Sequence, residues 1–174
     1  MRFIPIPPFK VASLLGCAWL AACSGVPGTA RVPFDAAGDE VEVREIRQLS
    51  ACAAAGTDAA VHLLADEQAL RDWQQARGID LIGPGALPPG PFAVVDHGAR
   101  PTAGYGLAVS RRAKVGYATL TLVASFLGPK TDNTSSGAPT SPCVLVALPA
   151  GAYRRIVVID PSGRRRAMSQ AAAS

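Results

Sequence analysis

Apolar residues along this chain fall into short runs, and most of the runs alternate with polar ones. Across Val115–Phe126 the period is two. Ala118, Leu120, Leu122, Ala124 and Phe126 share one side, and Tyr117, Thr119, Thr121 and Val123 the other. This is the pattern of an antiparallel strand with one face buried. Ala59–Leu64 alternates likewise, with His62 opposite Ala59, Val61 and Leu63. Tyr105–Ser110 places Tyr105, Leu107 and Val109 on one face, and Tyr153–Ile159 is a further strand. Phe92–Asp96 and Cys143–Leu148 carry almost unbroken apolar runs, as strands covered on both faces do. Val41–Leu49 starts with Val41 and Val43 on one face. Glu45 then breaks the alternation and Ile46 takes the other face, which predicts a bulge or an edge strand.

One segment has helical spacing. In Asp66–Arg77, Leu70 and Trp73 fall on one face with Ala69 and Ala76; Asp66 can cap the start and Gly78 suits the stop. Trp73 reads as core packing and His62 as a surface or half-buried side chain. Between the strands, Arg111, Arg112 and Lys114 predict a turn, and Gly128–Pro142 a long polar loop. Asp160-Pro161-Ser162-Gly163 is a second turn, after which residues 161–174 are expected to be a disordered tail. The expected fold is mainly β (α+β), an antiparallel β-sandwich or open barrel of about six or seven strands with one α-helix, in a single domain over residues 41–160.

The first 22 residues read as an address. Arg2 and Lys10 precede the uncharged run Val11–Leu20, which falls short of the ~20 apolar residues a membrane span needs. Leu20-Ala21-Ala22-Cys23 then matches the lipobox of bacterial lipoproteins, in which the cysteine thiol is acylated and the chain is cut before it. Cys23 is therefore the expected lipidation site, and residues 23–40 the lipidated N-terminus and a flexible Pro/Gly/Ala linker. Ser24, with no Asp beside the cysteine, points to the outer membrane. The chain has 174 residues, 17 basic and 13 acidic, and a net charge of +4. Cleavage removes Arg2 and Lys10 and no acid, so the mature chain carries 15 basic residues against 13 acidic and a charge of +2. So small a charge on an exported chain argues against nucleic acid as a partner.

Processing also sharpens the cysteine count. Cys17 is lost and Cys23 acylated, leaving Cys52 and Cys143 in an oxidising compartment, where a Cys52–Cys143 disulfide is expected and two buried thiols are the alternative. The chemistry of the remaining residues is sparse. His62 and His97 are the only histidines, too few for a metal site of recognisable spacing. Asp96 and His97 are neighbours, and if both lie on the strand they point to opposite faces and form no dyad. There is no Gly-x-Ser-x-Gly elbow, and the glycine-rich Gly83–Gly90 lacks the Gly-Lys-Ser/Thr of a phosphate loop. No catalytic residue, metal ligand or cofactor site is expected.

The most unusual stretch is His97-Gly98-Ala99-Arg100-Pro101-Thr102-Ala103-Gly104, between two apolar strands. Gly98 and Gly104 bracket it, Pro101 fixes its own φ, and Thr102 can hydrogen-bond to local backbone. A rigid turn of this kind lowers the ordering cost of binding a partner. The candidate contact residues are Arg100, Pro101, Thr102, Gly104 and Tyr105. Arg100-Pro101-Thr102-Ala103-Gly104-Tyr105 resembles the Pro-Thr-Gly-Gly-Tyr signature of the PrcB family, with Ala103 in place of the first glycine. Trp73, Ile79–Leu81 and Thr140–Pro142 extend the likeness over about residues 60–150. That family is named after a subunit of a protease complex. The resemblance implies a secreted or lipid-anchored, non-catalytic accessory domain with an envelope protease or another envelope protein as partner. Pro101, Thr102, Gly104 and Tyr105 are also similar to the Asn-Pro-Thr-Thr-Gly-Tyr loop of chagasin-like inhibitors of cysteine proteases. Arg100 stands where that family has Asn, and its later Arg-Pro-Trp has no counterpart here. A protease inhibitor using the Arg100–Gly104 turn is thus the alternative, and a structural envelope lipoprotein the third reading.

Overall fold

The computed structural model describes residues 38–129 and 137–169. The lipobox with Cys23, the linker before Gly38, the polar segment around Asn133 and the end of the tail lie outside the described residues. Among the described residues, nine strands and one helix follow in the order β1 (Asp39–Glu42), β2 (Arg44–Leu49), β3 (Ala60–Leu64), α1 (Glu67–Gln75), β4 (Phe92–Asp96), β5 (Gly106–Gly116), β6 (Thr119–Leu127), β7 (Cys143–Ala147), β8 (Arg155–Ile159) and β9 (Arg165–Met168). They form two sheets, ordered β1-β5-β6-β8-β9 and β2-β7-β4-β3. The sheets pack as a sandwich and do not close into a barrel. Every paired strand is antiparallel to its neighbour except β6 and β8, which run parallel.

The near-continuous apolar runs of β4 and β7 are explained by burial on both sides of the four-stranded sheet. Ala93, Val95, Val144 and Val146 face the other sheet, where they meet Leu107, Leu120, Leu122, Ile156 and Val158. Phe92, Val94, Cys143 and Leu145 face the opposite way, onto Leu70 and Trp73 of α1 and onto Leu81 and Ile82 after it. Asp66 caps α1 by accepting the Ala69 amide at 2.8 Å. The Gln74 carboxamide then accepts the amides of Leu81 and Ile82, both at 3.1 Å, and holds the following loop down on the sheet. Trp73 is core packing, with the Arg77 guanidinium stacked 4.0 Å from its ring centroid.

Three segments depart from the sequence pattern. The irregular Val41–Leu49 is two strands, one on each sheet. The chain changes sheets at the buried Val43, whose amide donates to the Arg111 carbonyl at 2.8 Å, and β2 carries a bulge between Glu45 and Arg47. The alternation fails because the chain crosses from one layer to the other.

Arg111, Arg112 and Lys114 lie within β5 and form no turn. A register shift between Val109 and Ala113 lets Arg111 and Arg112 reach solvent while Ala113 stays fully buried. Opposite them, Glu42 pairs with Arg112 and Glu40 with Lys114 across the β1–β5 ladder. The hairpin turns instead at Tyr117 and Ala118, with φ of 50° and 58°.

The tail expected to be disordered contains β9. Asp160 organises the turn before it, accepting the Ser162 amide at 3.0 Å, the Ser162 hydroxyl at 2.6 Å and the Arg164 amide at 3.0 Å. These bonds, led by the Ser162 hydroxyl, hold the Asp160 carboxyl below the usual range. Ala167 is buried, and Ser169 closes the pairing by exchanging bonds with Ile156. Of the arginines that give this stretch a disordered look, Arg164 and Arg165 are exposed and Arg166 is half-buried, on an edge strand.

Candidate functional site

The 97–104 turn is built on the end of β4 and braced from four other segments. Asp96, 3% exposed, accepts the Gly98 amide at 2.8 Å. Burial raises its carboxyl above the usual range, against the pull of that amide and of Arg77, His97 and Arg100. The His97 amide donates to Pro142, the Ala99 amide to Gly56 at 2.7 Å, and Arg100 and Thr140 exchange backbone bonds of 2.7 and 3.0 Å. The Thr140 hydroxyl donates to the Thr102 carbonyl at 3.0 Å. Gly98, at φ 84°, must be glycine for a second reason: a Cβ there would stand 2.4 Å from the Thr57 carbonyl oxygen.

Arg100 is the central brace. Its Nε donates to His97 Nδ1 at 2.8 Å, and its Nη2 donates to the carbonyls of Thr57, at 2.9 Å, and His97. A guanidinium only donates, so His97 Nδ1 must carry a lone pair and the ring is neutral, leaving Nε2 to face the Leu127 carbonyl at 3.3 Å. Burial lowers the His97 pKa, and the nearby cations Arg100 and Arg166 push the same way. The ring meets Tyr105 and Phe126 edge-on, with centroids 5.7 and 5.2 Å apart. Arg166 from β9 lies over Phe126 at 4.4 Å and pairs with Asp160 at 3.7 Å.

The five residues expected at the partner surface therefore divide into two kinds. Arg100 and the half-buried Tyr105 hold the turn from beneath. Pro101 and Gly104 are exposed and Thr102 half-exposed; these three form the crest. Gly104 sits at φ 89°, where glycine is favoured, whereas Ala103 has no positive φ. The alanine that departs from the family signature occupies the position that can accept it. Phe126 and Arg166 were not expected at this site, and His97, which opens the turn, was not expected among its contact residues. The spacing of Arg100 three residues after His97 across a tight turn was the one sequence signal for their pairing.

Behind the turn, Cys52 and Cys143 form a disulfide, with Cα atoms 5.9 Å apart. Cys143 stands opposite Asp96 in the β4–β7 ladder, and the Cys52 amide is held by both oxygens of Ser141 at 2.9 Å. The bridge thus ties the 52–58 segment, which supplies the Gly56 and Thr57 carbonyls, to the centre of the sheet. Among the described residues, no group of three or more His, Cys, Asp or Glu side chains is placed to hold a metal ion. No helix among them is long and apolar enough to cross a membrane.

Searches of curated proteins and of solved structures give no match to the chain. A family model does match: residues 92–149, from the first residue of β4 past the end of β7 and including the braced turn, fit the model described as PrcB C-terminal, which supports the likeness to the PrcB family seen in the sequence.

Proposed function

We propose that this chain is a lipid-anchored, non-catalytic accessory domain of the bacterial envelope that binds a protein partner through the Pro101–Thr102–Gly104 crest. A protease complex is the partner class. The family match supports the association, since the PrcB name belongs to a protease-complex subunit. The observation that carries the reading is the preorganisation of the crest. Buried and half-buried groups from β4, β6, β9 and the loops at Thr57 and Thr140 fix it before any partner arrives, so little entropy is lost on docking. The lipobox at Cys23 and the following Ser24 support acylation and an outer-membrane location.

The test separates crest from brace. Pro101→Glu with Thr102→Glu alters the exposed residues and leaves Arg100, His97 and Tyr105 in place. Affinity capture from the native envelope, with mass spectrometry, is expected to recover a protease with the parent chain and to lose it with the variant. Full recovery by a folded variant would refute the crest as the contact. Activity titration of the recovered protease then distinguishes a helper from a stoichiometric inhibitor.

A further inference from the structure

At the opposite end of β5 from the crest, the β5–β6 hairpin turns through Tyr117 and Ala118. Two-residue hairpin turns with both central φ values positive favour Asn and Gly, because other residues crowd their own backbone there. A tyrosine and an alanine instead take φ of 50° and 58°. The fold gains nothing from the tyrosine ring, which is fully exposed. Strain retained for a side chain that packs against nothing in its own domain points to a contact outside it.

The surroundings of the ring narrow the class of that contact. The amides of Arg154 and Arg155 both donate to the Ala118 carbonyl, at 2.8 and 3.3 Å, so this arginine pair is fixed beside the tip, and both residues are exposed. Met168, another exposed apolar residue, pairs with Val157 on the adjoining strands. The acids nearby are Asp39 and Glu40 on β1; Glu40 faces Lys114 across the ladder and Arg112 at 3.9 Å. An exposed tyrosine flanked by arginines, whose stems can lie along apolar matter while their heads stay at the polar boundary, suits the headgroup region of a bilayer.

The direction of the chain agrees. Asp39 pairs with Val115, so the residues preceding Gly38 join the domain at the hairpin tip and not at the crest. We propose that the Tyr117 tip, with Arg154 and Arg155, rests on a lipid surface bearing anionic headgroups, so that the crest points away from the bilayer. This rests on the anchored reading above, and the two can fail separately.

With Cys23 acylated and Cys52 bonded to Cys143, a Tyr117→Cys variant of the full chain offers one free thiol for an environment-sensitive fluorophore. Pro101→Cys offers the same at the crest. Each labelled protein is reconstituted on phosphatidylcholine vesicles with and without phosphatidylglycerol, and flotation is read alongside emission. The expected result is flotation of both proteins, with a blue shift and quenching by nitroxide lipid at position 117 only, stronger on the anionic vesicles. Adding Arg154→Ala and Arg155→Ala is expected to shift the tip's equilibrium toward water by roughly fivefold per arginine. Flotation with position 117 as water-exposed as position 101 would overturn the contact and leave the anchor standing. Failure to float on either vesicle would overturn both. A blue shift that follows protein concentration instead of lipid would assign the tip to a second copy of the chain and also overturn the proposal.

Discussion

The disulfide is the feature whose removal has the best-defined consequence. Cys52 and Cys143 are 91 residues apart, and closing a loop of that size lowers the entropy of the unfolded chain by an amount equivalent to about 4.6 kcal/mol. Measured losses for native bridges centre on about 2–4 kcal/mol, because unfolded chains are already partly compact. Both cysteines are fully buried, so the appropriate substitution is Cys52→Ala with Cys143→Ala, which adds no unpaired hydroxyl to the core. Guanidinium titration is expected to show a loss of about 2–4 kcal/mol together with a steeper denaturant dependence, since the uncrosslinked chain exposes more surface on unfolding. The structure adds a local expectation. The bridge holds the segment carrying Gly56 and Thr57, so the Ala99 amide, bonded to Gly56 at 2.7 Å, should lose exchange protection in excess of the global loss. A stability loss below about 1 kcal/mol would refute the account of the bridge as a constraint on the unfolded chain. An Ala99 amide protected in proportion to the rest of the sheet would refute its role in bracing the turn.

Two further outcomes follow from the brace. Arg100→Ala leaves the Thr57 carbonyl and His97 Nδ1 without their donor and should lower stability by about 1–3 kcal/mol in thermal or chemical unfolding. Arg100→Lys should recover only part of that loss, because an ammonium lacks the planar fork that reaches both acceptors. Acidification should also destabilise the domain. Burial holds the pKa values of His97 and His62 below their ordinary values, so as pH falls below about 6.5 the unfolded chain takes up protons that the folded chain refuses. Stability is then lost by up to about 1.4 kcal/mol per pH unit per histidine until the folded values are reached, and His97→Gln should flatten the slope. Asp96 acts with the opposite sign, since its raised pKa gives a contribution that is present below about 4 and lost as pH rises through the folded value. Unfolding free energies that stay flat from about pH 6.5 to about 5.5 would refute the buried, neutral histidines.

The strands at Phe92 and Cys143 were legible because burial on both faces demands an apolar residue at almost every position, and the helix because Asp66 and Gly78 mark its ends. The β5–β6 hairpin was not, since Tyr117 and Ala118 carry none of the usual turn chemistry and the basic Arg111–Lys114 run mimics a loop. The bulge that puts Arg111 and Arg112 into solvent is a tertiary decision, set by β1 pairing alongside. β9 was hidden for a related reason: three arginines in a row resemble a tail unless the Asp160 turn that returns them to β8 is known. At the turn, two of the five residues singled out from the sequence, Arg100 and Tyr105, are engaged with the domain beneath it. An arginine beside Pro-Thr reads as a side chain offered to a partner. Its guanidinium is held by His97, three positions back, and by the Thr57 carbonyl, 43 positions away, and no local pattern reveals the second.

The placement of the crest and the tip at opposite ends of β5 bears on what an anchor can accomplish. Eleven residues of strand separate them, about 35 Å at the usual rise, somewhat less with the bulge. The stretch from Cys23 to Gly38, however it is arranged, spans at most about 50 Å. A tether with that reach exceeds the length of the sandwich, so acylation alone would let the domain lie with either end toward the bilayer. Such attachment would confine the domain to the surface at a high effective concentration, where even a contact with millimolar affinity would be well populated. The proposed Tyr117 tip would then need little binding energy to fix the orientation, and a few ordered residues at the interface would suffice. Charge reversal at Arg154 and Arg155 is accordingly expected to leave the protein in the membrane fraction while reducing capture of the partner through the crest. Loss of membrane attachment in that variant would place the arginines in anchorage itself and refute the division of labour between acyl chain and tip.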